Sequence, residues 1–346
     1  MMLLVPADPL RATRPDPHFA PEAAAAREAG HPVAVVDHDA LARGEADRAV
    51  AKAPAGEDVV YRGWMLRSEH YAAFAEALGR RGAVLRTSPD QYRTAHELPG
   101  WYDDFKDLTP ESAWTDGFDR DGFERARERL GAGPAVLRDF TKSVKHHWHE
   151  AAYIPDLADA DASWAVARRF TELRDDDATG GFVLRRFEPF TSAEVRTWWV
   201  DGACALVGPH PDTPDDVVDA PDVTAIGPLV RRLRFVTVDL ARRADGAWRV
   251  VELGDGQVSD RPRTTAPETM IRIIEQARFP LVTDGYSDVM GIDDKFDAKA
   301  DELKGKVKET TGRATDDRDL EAEGRGDQVK GNLKQAAEKV KDAFRK

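Results

Sequence analysis

The amino-acid composition changes sharply near residue 280, and this change divides the chain into two kinds of polypeptide. All eight tryptophans and all 21 prolines lie at or before Pro280. From Met290 to Lys346 there is no proline, tryptophan, tyrosine or cysteine, and ten Lys and four Arg balance nine Asp and five Glu. The net charge of −13 therefore belongs to the first part. Two modules are predicted, joined by a linker at 278–289 that contains proline, glycine and polar residues.

The composition also excludes several classes of function. The acidic excess makes binding to nucleic acid or to an anionic membrane a poor hypothesis, because both require clustered positive charge. The single cysteine, Cys204, excludes an internal disulfide. No apolar run approaches the length of a membrane-spanning helix, and the N-terminus lacks the pattern of a secretion signal. We expect a cytoplasmic protein with no nucleic-acid or membrane partner.

Residues 1–130 are predicted to form an N-terminal α/β domain. Short connections between alternating strands and helices are typical of an open parallel sheet. The predicted strands lie at 2–5, 32–37, 58–66 and 83–85, and the predicted helices at 21–29 and 68–78. Ligands of such sheets lie at the carboxyl ends of the strands, where Arg62 is placed. Arg62 could therefore bind an anionic substrate or form a structural ion pair.

Two apolar segments that each carry a carboxylate indicate the chemistry of the chain. Residues 236–240 and 250–257 read as strands, with Asp239 in the first, Glu252 in the second and a turn at 244–247 between them. Paired strands can bring two such carboxylates to one Mg²⁺, which prefers one or two carboxylates together with substrate phosphates. The alternative is that both are strand-end charges that face water.

Basic and polar segments precede this pair. A strand at 135–140 carries Arg138 and leads into a polar loop with Lys142 and Lys145, which could bind phosphates or could be a solvated basic loop. A strand at 181–190 follows. A further strand then carries Glu194 and Arg196 on one face and turns back at Asp201-Gly202.

In this order, residues 131–277 resemble an ATP-grasp domain. The segments 61–64, 139–148 and 251–259 resemble the clade of that superfamily that is named for two arginines and a lysine. With the preceding α/β domain, the resemblance covers 1–277. It implies a nucleotide held between two α+β lobes and a ligase that needs ATP and Mg²⁺ and makes an acyl-phosphate.

The resemblance also implies a role for each candidate residue. Asp239 and Glu252 would bind Mg²⁺, and Glu194 would bind the ribose hydroxyls. Positive charge near the phosphates would come from Arg138, Lys142, Lys145 and Arg196, with Lys142 and Arg196 as the catalytic pair. Arg185, Arg186 and Phe187 would form the adenine hinge through backbone atoms, with Glu188 in the same cofactor-binding segment.

Two features depart from the superfamily pattern. The Glu-x-Asn metal motif reads Glu252-Leu253-Gly254, so the Asn ligand is missing, and Asp255 is the candidate to replace it. The hinge carries Arg185 and Arg186 where acidic residues are common.

The second module repeats itself. Residues 301–309 and 327–335 both read Asp-x-apolar-Lys-Gly-x-apolar-Lys followed by an acid or amide. The apolar stripe is narrow and each glycine weakens a helix, so marginal helices or partial disorder are predicted. Residues 290–346 resemble the CsbD-like stress-response family of small charged helical proteins. The segment carries no residue that suggests catalysis.

Three hypotheses of function follow. The first is an ATP- and Mg²⁺-dependent ligase that activates a small-molecule or peptide carboxylate for attack by an amine or a thiol. The second is a nucleotide-binding sensor or scaffold that has lost ligation, an interpretation that the missing Asn keeps open. The third is a non-enzymatic stress protein whose CsbD-like tail is the functional part. The oligomeric state is left open.

Overall fold

Three β-sheets organise the residues that this computed structural model describes, 1–217 and 219–277. The predicted linker and CsbD-like module lie outside the described residues. The strands are β1 (Met2–Asp8), β2 (Arg11–Pro15), β3 (Val33–Val36), β4 (Gly56–Tyr61), β5 (Ala83–Leu85), β6 (Ser112–Trp114), β7 (Ala135–Arg138), β8 (Tyr153–Ile154), β9 (Val183–Arg186), β10 (Val195–Val200), β11 (Ala203–Pro209), β12 (Phe235–Arg242) and β13 (Trp248–Asp255). The α-helices are α1 (Ala20–Glu28), α2 (His38–Ala42), α3 (Ala46–Ala49), α4 (Ser68–Arg80), α5 (Pro89–His96), α6 (Leu98–Phe105), α7 (Arg120–Leu130), α8 (Ala160–Arg174), α9 (Ile226–Val230) and α10 (Pro267–Gln276).

The first sheet is the predicted open parallel sheet. β1 pairs in parallel with β3 and with β4, and β4 pairs in parallel with β5. Leu3, Leu4 and Val5 are fully buried because both faces of the sheet are covered, which explains why the segment reads as a continuous apolar run. One face packs against α4 and the other against α1 and α10. β2, which is not among the predicted elements, pairs antiparallel with the end of β1.

The two remaining sheets are antiparallel and form two lobes. The first lobe contains the sheet β6-β9-β7-β8 with α7 and α8 packed on it around a cluster of phenylalanines, Phe123, Phe170 and Phe182. The second lobe contains the sheet β11-β10-β12-β13, and α5 and α6 lie against it. The mixed α/β and α+β fold class predicted from sequence is therefore observed.

Packing crosses the predicted boundary at residue 130. β6 pairs with β9 and α7 packs on the same sheet, although both elements precede residue 131. In the opposite direction, α10 returns to the first sheet and packs against α1. The predicted first domain and the two lobes thus share hydrophobic cores.

Several predicted strands are shorter than expected for identifiable reasons. The strand expected at 181–190 spans Val183–Arg186, and Pro189 beyond it has no N–H to donate to a sheet. The strand expected at 58–66 ends at Tyr61, two residues before Gly63, whose Cβ position is filled by the Tyr61 ring. Among the described residues, no helix is both long and apolar enough to cross a membrane.

Candidate active site

The two predicted metal ligands face each other across the hairpin of the second lobe. Asp239 of β12 is the register partner of Glu252 of β13, and a bulge follows Asp239. Directly opposite residues of an antiparallel pair place their side chains on the same face of the sheet. Asp239 is 3% exposed, whereas the Glu252 side chain is 29% exposed. The bulge therefore brings two carboxylates side by side, one buried and one reached by solvent.

Each carboxylate is paired with one arginine. Arg196 of β10 is the register partner of Asp239 on its other side, and its Nε and Nη2 atoms donate to the two Asp239 oxygens at 2.8 Å each. Arg138, at the end of β7 in the other lobe, donates from Nη2 to Glu252 Oε1 at 2.9 Å. The site is thus built where the two lobes meet.

These ion pairs keep both carboxylates ionised. Burial by itself raises the pKa of Asp239, but the charges and hydrogen bonds of Arg196 and His210 outweigh it and lower that pKa well below its usual range. Burial also raises the pKa of Glu252, and the charges of Arg138 and Lys142 together bring it below its ordinary value. Two anionic oxygen ligands are therefore present at neutral pH.

A buried aspartate shapes the basic loop after β7. Asp139 Oδ1 accepts from the backbone N–H groups of Thr141 and Lys142 at 2.7 and 2.6 Å, and its other oxygen binds Arg174 at 3.0 Å. The backbone of the loop is therefore held while its lysines project outward. This anchor is absent from the sequence prediction, which considered only the basic residues of the loop.

The two lysines of this loop differ in their partners. Within residues 1–217 and 219–277, the Lys142 side chain makes no hydrogen bond or ion pair, and its charge helps to lower the pKa of Glu252. Lys145 Nζ lies 3.1 Å from Asp212 Oδ2, an ion pair that joins the first lobe to the segment after β11. Lys142 is thus the cation of this cluster that remains available to a ligand.

Glu194 and a histidine that the sequence analysis missed complete the cluster. Glu194 precedes β10, and burial raises its pKa against the opposing charges of Lys145 and His210. His210 Nε2 lies 2.9 Å from Arg196 Nη2 and 3.5 Å from Asp239 Oδ2. Its Nδ1 accepts from the Asp212 N–H at 3.1 Å. The available sequence signal was a histidine held between two prolines directly after an apolar strand.

Asp255, the predicted replacement for the missing Asn ligand, is not brought to this cluster. It lies three residues after Glu252 in the regular part of β13, and alternation along a strand turns its side chain to the opposite face. There it accepts from the Gln257 N–H at 2.8 Å, and burial raises its pKa to about 6. Among the described residues, no group of three His, Cys, Asp or Glu is arranged to hold a metal ion.

The predicted adenine hinge uses its side chains to bind the protein itself. Arg185 is buried and donates to the Val251 carbonyl at 2.7 Å, and burial together with the Arg138 charge lowers the pKa of Arg185 to about 9. Arg186 donates to the carbonyls of Leu130 and Ala132. Arginines in place of acidic residues thus have a structural role here.

The rest of the hinge offers an aromatic surface. Glu188 accepts two hydrogen bonds from Arg249, at 2.9 and 3.0 Å. The Phe187 ring lies 5.2 Å from the Tyr153 ring, which stacks on Trp148 with 5.5 Å between centroids. The Phe187 N–H donates to the Pro134 carbonyl at 3.0 Å. Aromatic faces of this kind can pack against a flat heterocycle.

The donor set fits one hard cation. Mg²⁺ is usually held by one or two carboxylates while phosphates and water supply its other ligands, so the pair Asp239 and Glu252 is sufficient in number and chemistry. Both are engaged by arginines, so a cation would share these carboxylates with Arg196 and Arg138.

Two family models match separate parts of the chain. Residues 129–274 match the model of an ATP-grasp domain, family 3 of the clade named for two arginines and a lysine, and residues 294–346 match the model described as CsbD-like. A UPF0337 protein of Corynebacterium efficiens is 54% identical over 56 residues, which are 16% of this chain and 97% of that protein. A UPF0337 protein of Streptomyces coelicolor is 48% identical over 56 residues, 16% of this chain and 98% of that protein. Both resemblances proposed from sequence are confirmed.

Solved structures share the fold of the first part. D-cycloserine synthetase DcsG superimposes with a TM-score of 0.53 and 18% identity, covering 80% of this chain and 100% of that chain. A RimK domain protein ATP-grasp from Sphaerobacter thermophilus gives a TM-score of 0.52 and 17% identity, covering 78% of this chain and 98% of that chain. The N5-carboxyaminoimidazole synthetase of Staphylococcus aureus, crystallised with ADP, gives a TM-score of 0.52 and 11% identity, covering 80% of this chain and 77% of that chain. At these identities the likeness is one of fold.

Proposed function

We propose that this chain, which belongs to the ATP-grasp superfamily through residues 129–274 and to the CsbD-like family through residues 294–346, is an ATP- and Mg²⁺-dependent ligase. It would activate a carboxylate as an acyl-phosphate for attack by an amine or a thiol. The observation that carries the proposal is the carboxylate pair Asp239 and Glu252, which lies at the junction of two lobes with an arginine on each carboxylate.

The residues of the cluster would divide the work of phosphoryl transfer. Such transfer depends on positioning and on neutralising charge rather than on covalent help from the protein. Lys142, which has no partner among the described residues, would bind the phosphates from the loop. Arg138 would orient Glu252 from the first lobe, and Arg196 would orient Asp239 while adding positive charge near the transferred group. Mg²⁺, when bound to Asp239 and Glu252, would neutralise phosphate charge.

The nucleotide would lie between the lobes. Glu194, which interacts with the charge of Lys145, would bind ribose hydroxyls, and the Phe187 face would pack against adenine. The carboxylate substrate, whether a small molecule or a peptide, and the amine would approach the phosphate end. DcsG and the Staphylococcus aureus enzyme are both named as synthetases, which supports a ligase for this fold. We propose the divisions 1–130, 131–277, 278–289 and 290–346 for the α/β domain, the ATP-grasp domain, the linker and the CsbD-like module, with β6 and α7 of the first division packed on a sheet of the second.

The test is stabilisation of the full chain by Mg·ATP. A ligand that binds only the folded state stabilises it by about 2.7 kcal/mol at 100 times its dissociation constant. We expect a Mg²⁺-dependent rise in melting temperature that Glu252→Gln abolishes. Glu128→Gln, an exposed acid on α7, is the control and should leave the rise unchanged.

Two results would contradict the proposal. The first is the absence of any rise at millimolar Mg·ATP in the wild type. The second is an unchanged rise in Glu252→Gln, which would remove Glu252 from the nucleotide site.

A nucleotide-binding protein without ligation is the second candidate. It is favoured by Gly254 in the place of the Asn ligand and by the position of Asp255 on the far face of β13. Phosphate release from ATP in the presence of carboxylate and amine panels separates it from the ligase, because only the ligase turns over.

A further inference from the structure

A small pocket lies where the loop before α1, the end of β11 and the segment after β13 meet. Four prolines form much of its wall, and His18 completes it together with the charged residues Asp260, Arg261 and Arg263 around about 120 Å³. An engineered apolar cavity of about 150 Å³ holds one benzene, so the space suits a ligand of roughly six non-hydrogen atoms. A ligand of this size is much smaller than a nucleotide.

The pocket adjoins the cluster that we assign to phosphoryl transfer. Its wall residue Pro262 packs on Gly208, where a Cβ atom would lie 3.3 Å from Pro262 Cγ. Gly208 is in turn the register partner of Arg196. His210 stands between two prolines of the wall and points to Arg196 and Asp239. A ligand in the pocket would therefore lie one layer of side chains from the proposed metal ligands.

One anionic group of the pocket is accessible. Asp260 Oδ1 lies 2.8 Å from His18 Nε2, and the two side chains are 42% and 46% exposed. The His18 ring rests on Trp64 with 4.5 Å between centroids, which fixes its position. The Asp260 carboxylate keeps a second oxygen for a ligand.

One cationic group is accessible as well. Arg263 is exposed and, within the part of the chain that the structure describes, forms neither a hydrogen bond nor an ion pair. Arg261, by contrast, is held by the Thr265 carbonyl and lies 3.6 Å from Glu22. The pocket thus presents one carboxylate and one unpaired guanidinium to the same small space.

From this arrangement we propose that the pocket binds a small α-amino acid. Arg263 binds the carboxylate of the amino acid, since a guanidinium matches two carboxylate oxygens with two parallel donors. Asp260 binds the ammonium group. The proline walls and the volume restrict the side chain to a small apolar one. Because a layer of side chains separates the pocket from the cluster, the amino acid is bound beside the proposed reaction site and not at it, and this assignment does not depend on the ligase proposed above.

The experiment compares three probes by calorimetric titration of the full chain, with and without Mg²⁺ and a non-hydrolysable ATP analogue. L-Alanine carries both charges, propionate only the carboxylate and isopropylamine only the ammonium. We expect L-alanine to bind at least tenfold more tightly than either of the others. Arg263→Gln should weaken the binding of L-alanine and of propionate at least tenfold and leave the binding of isopropylamine unchanged. Asp260→Asn should weaken the binding of isopropylamine at least tenfold and leave the binding of propionate unchanged. Arg272→Gln on the exposed side of α10 is the control.

The outcomes separate this inference from the proposed function. Equal affinity for L-alanine and propionate, or an unchanged L-alanine affinity in Arg263→Gln, overturns the amino-acid assignment. Failure of the ATP analogue to bind contradicts the ligase instead, and the titrations without nucleotide then still decide the pocket. Binding of the analogue to Arg263→Gln with wild-type affinity is expected, because Arg263 contacts none of the residues assigned to the nucleotide.

Discussion

Replacing Arg62 should show how firmly the N-terminal sheet is joined to the second lobe. Arg62 is 1% exposed and pairs with Glu22, which is 4% exposed, through donors at 2.7 and 3.0 Å. Its Nη1 also donates to three carbonyls of the segment after β13, those of Gly256, Gln257 and Ser259, at 2.8, 2.9 and 2.9 Å. Of the two roles considered from sequence, the structural ion pair is the one observed.

The size of the effect follows from what the change leaves behind. Arg62→Met would leave a buried carboxylate without its hydrogen-bonded partner, a situation that costs about 3–5 kcal/mol. The nearest remaining cation, Arg261, lies 3.6 Å from Glu22 and makes only a weak substitute. Adding Glu22→Gln removes the uncompensated charge, so the double variant should recover at least about 1 kcal/mol. Part of the loss should remain, since unsatisfied carbonyls cost about 1–3 kcal/mol.

The assay is urea unfolding followed by tryptophan fluorescence. It suits this site because the Arg62 guanidinium lies 5.7 Å from the centroid of the Trp198 ring. Arg272→Met, an exposed replacement of the same kind, is the control and should change the free energy of unfolding by less than about 0.5 kcal/mol. A loss below about 1 kcal/mol in Arg62→Met would refute the reasoning. So would a double variant no more stable than the single one.

Two further predictions concern a buried acid and two glycines. Burial raises the pKa of Asp255 to about 6, above the ordinary 3.8, so the folded state loses stability as pH rises from about 4 to about 6, by roughly 3 kcal/mol in total. Asp255→Asn keeps the acceptor for the Gln257 N–H and should remove this dependence of stability on pH. If the melting temperatures of the variant and the wild type change equally between pH 4 and 8, the assignment is contradicted. A Cβ at Gly181 would overlap the Thr115 carbonyl oxygen and lie 2.9 Å from the Gly117 carbonyl oxygen, whereas one at Gly79 of α4 meets nothing within 4 Å. Urea unfolding should therefore show that Gly181→Ala lowers the free energy of unfolding by about 1–3 kcal/mol and that Gly79→Ala raises it by about 0.5–1 kcal/mol. A loss in Gly181→Ala that is smaller than the loss from a substitution at a surface site would count against the close approach.

The local sequence pattern predicted most of the strands and missed several of the helices. The predicted strand at 83–85 coincides with β5, and the predicted hairpin at 236–257 overlaps β12 and β13. Helices α5 to α8 were not predicted, because their segments carry many charged and polar residues. Their apolar residues do recur at helical spacing, as Leu98, Trp101 and Phe105 do in α6, and they pack against the sheets of the two lobes. Fold class could thus be inferred from strand order, while the place of each helix on a lobe needed the packed structure.

The bulge after Asp239 places this residue opposite Glu252, because the register of Leu240 with Val250 would otherwise pair Asp239 with Val251. The sequence by itself determined only that each of two neighbouring strands carries one of these carboxylates. It also determined the break in composition near 280 and, through motif order, both families. The tertiary structure decided which cations meet those carboxylates: Arg138 reaches Glu252 across 114 positions of chain, and His210 reaches Asp239 from a proline-rich segment. It also decided that Asp255 faces away. The physical reason is that alternation along a strand defines faces only relative to one another, and packing between distant elements defines what each face meets.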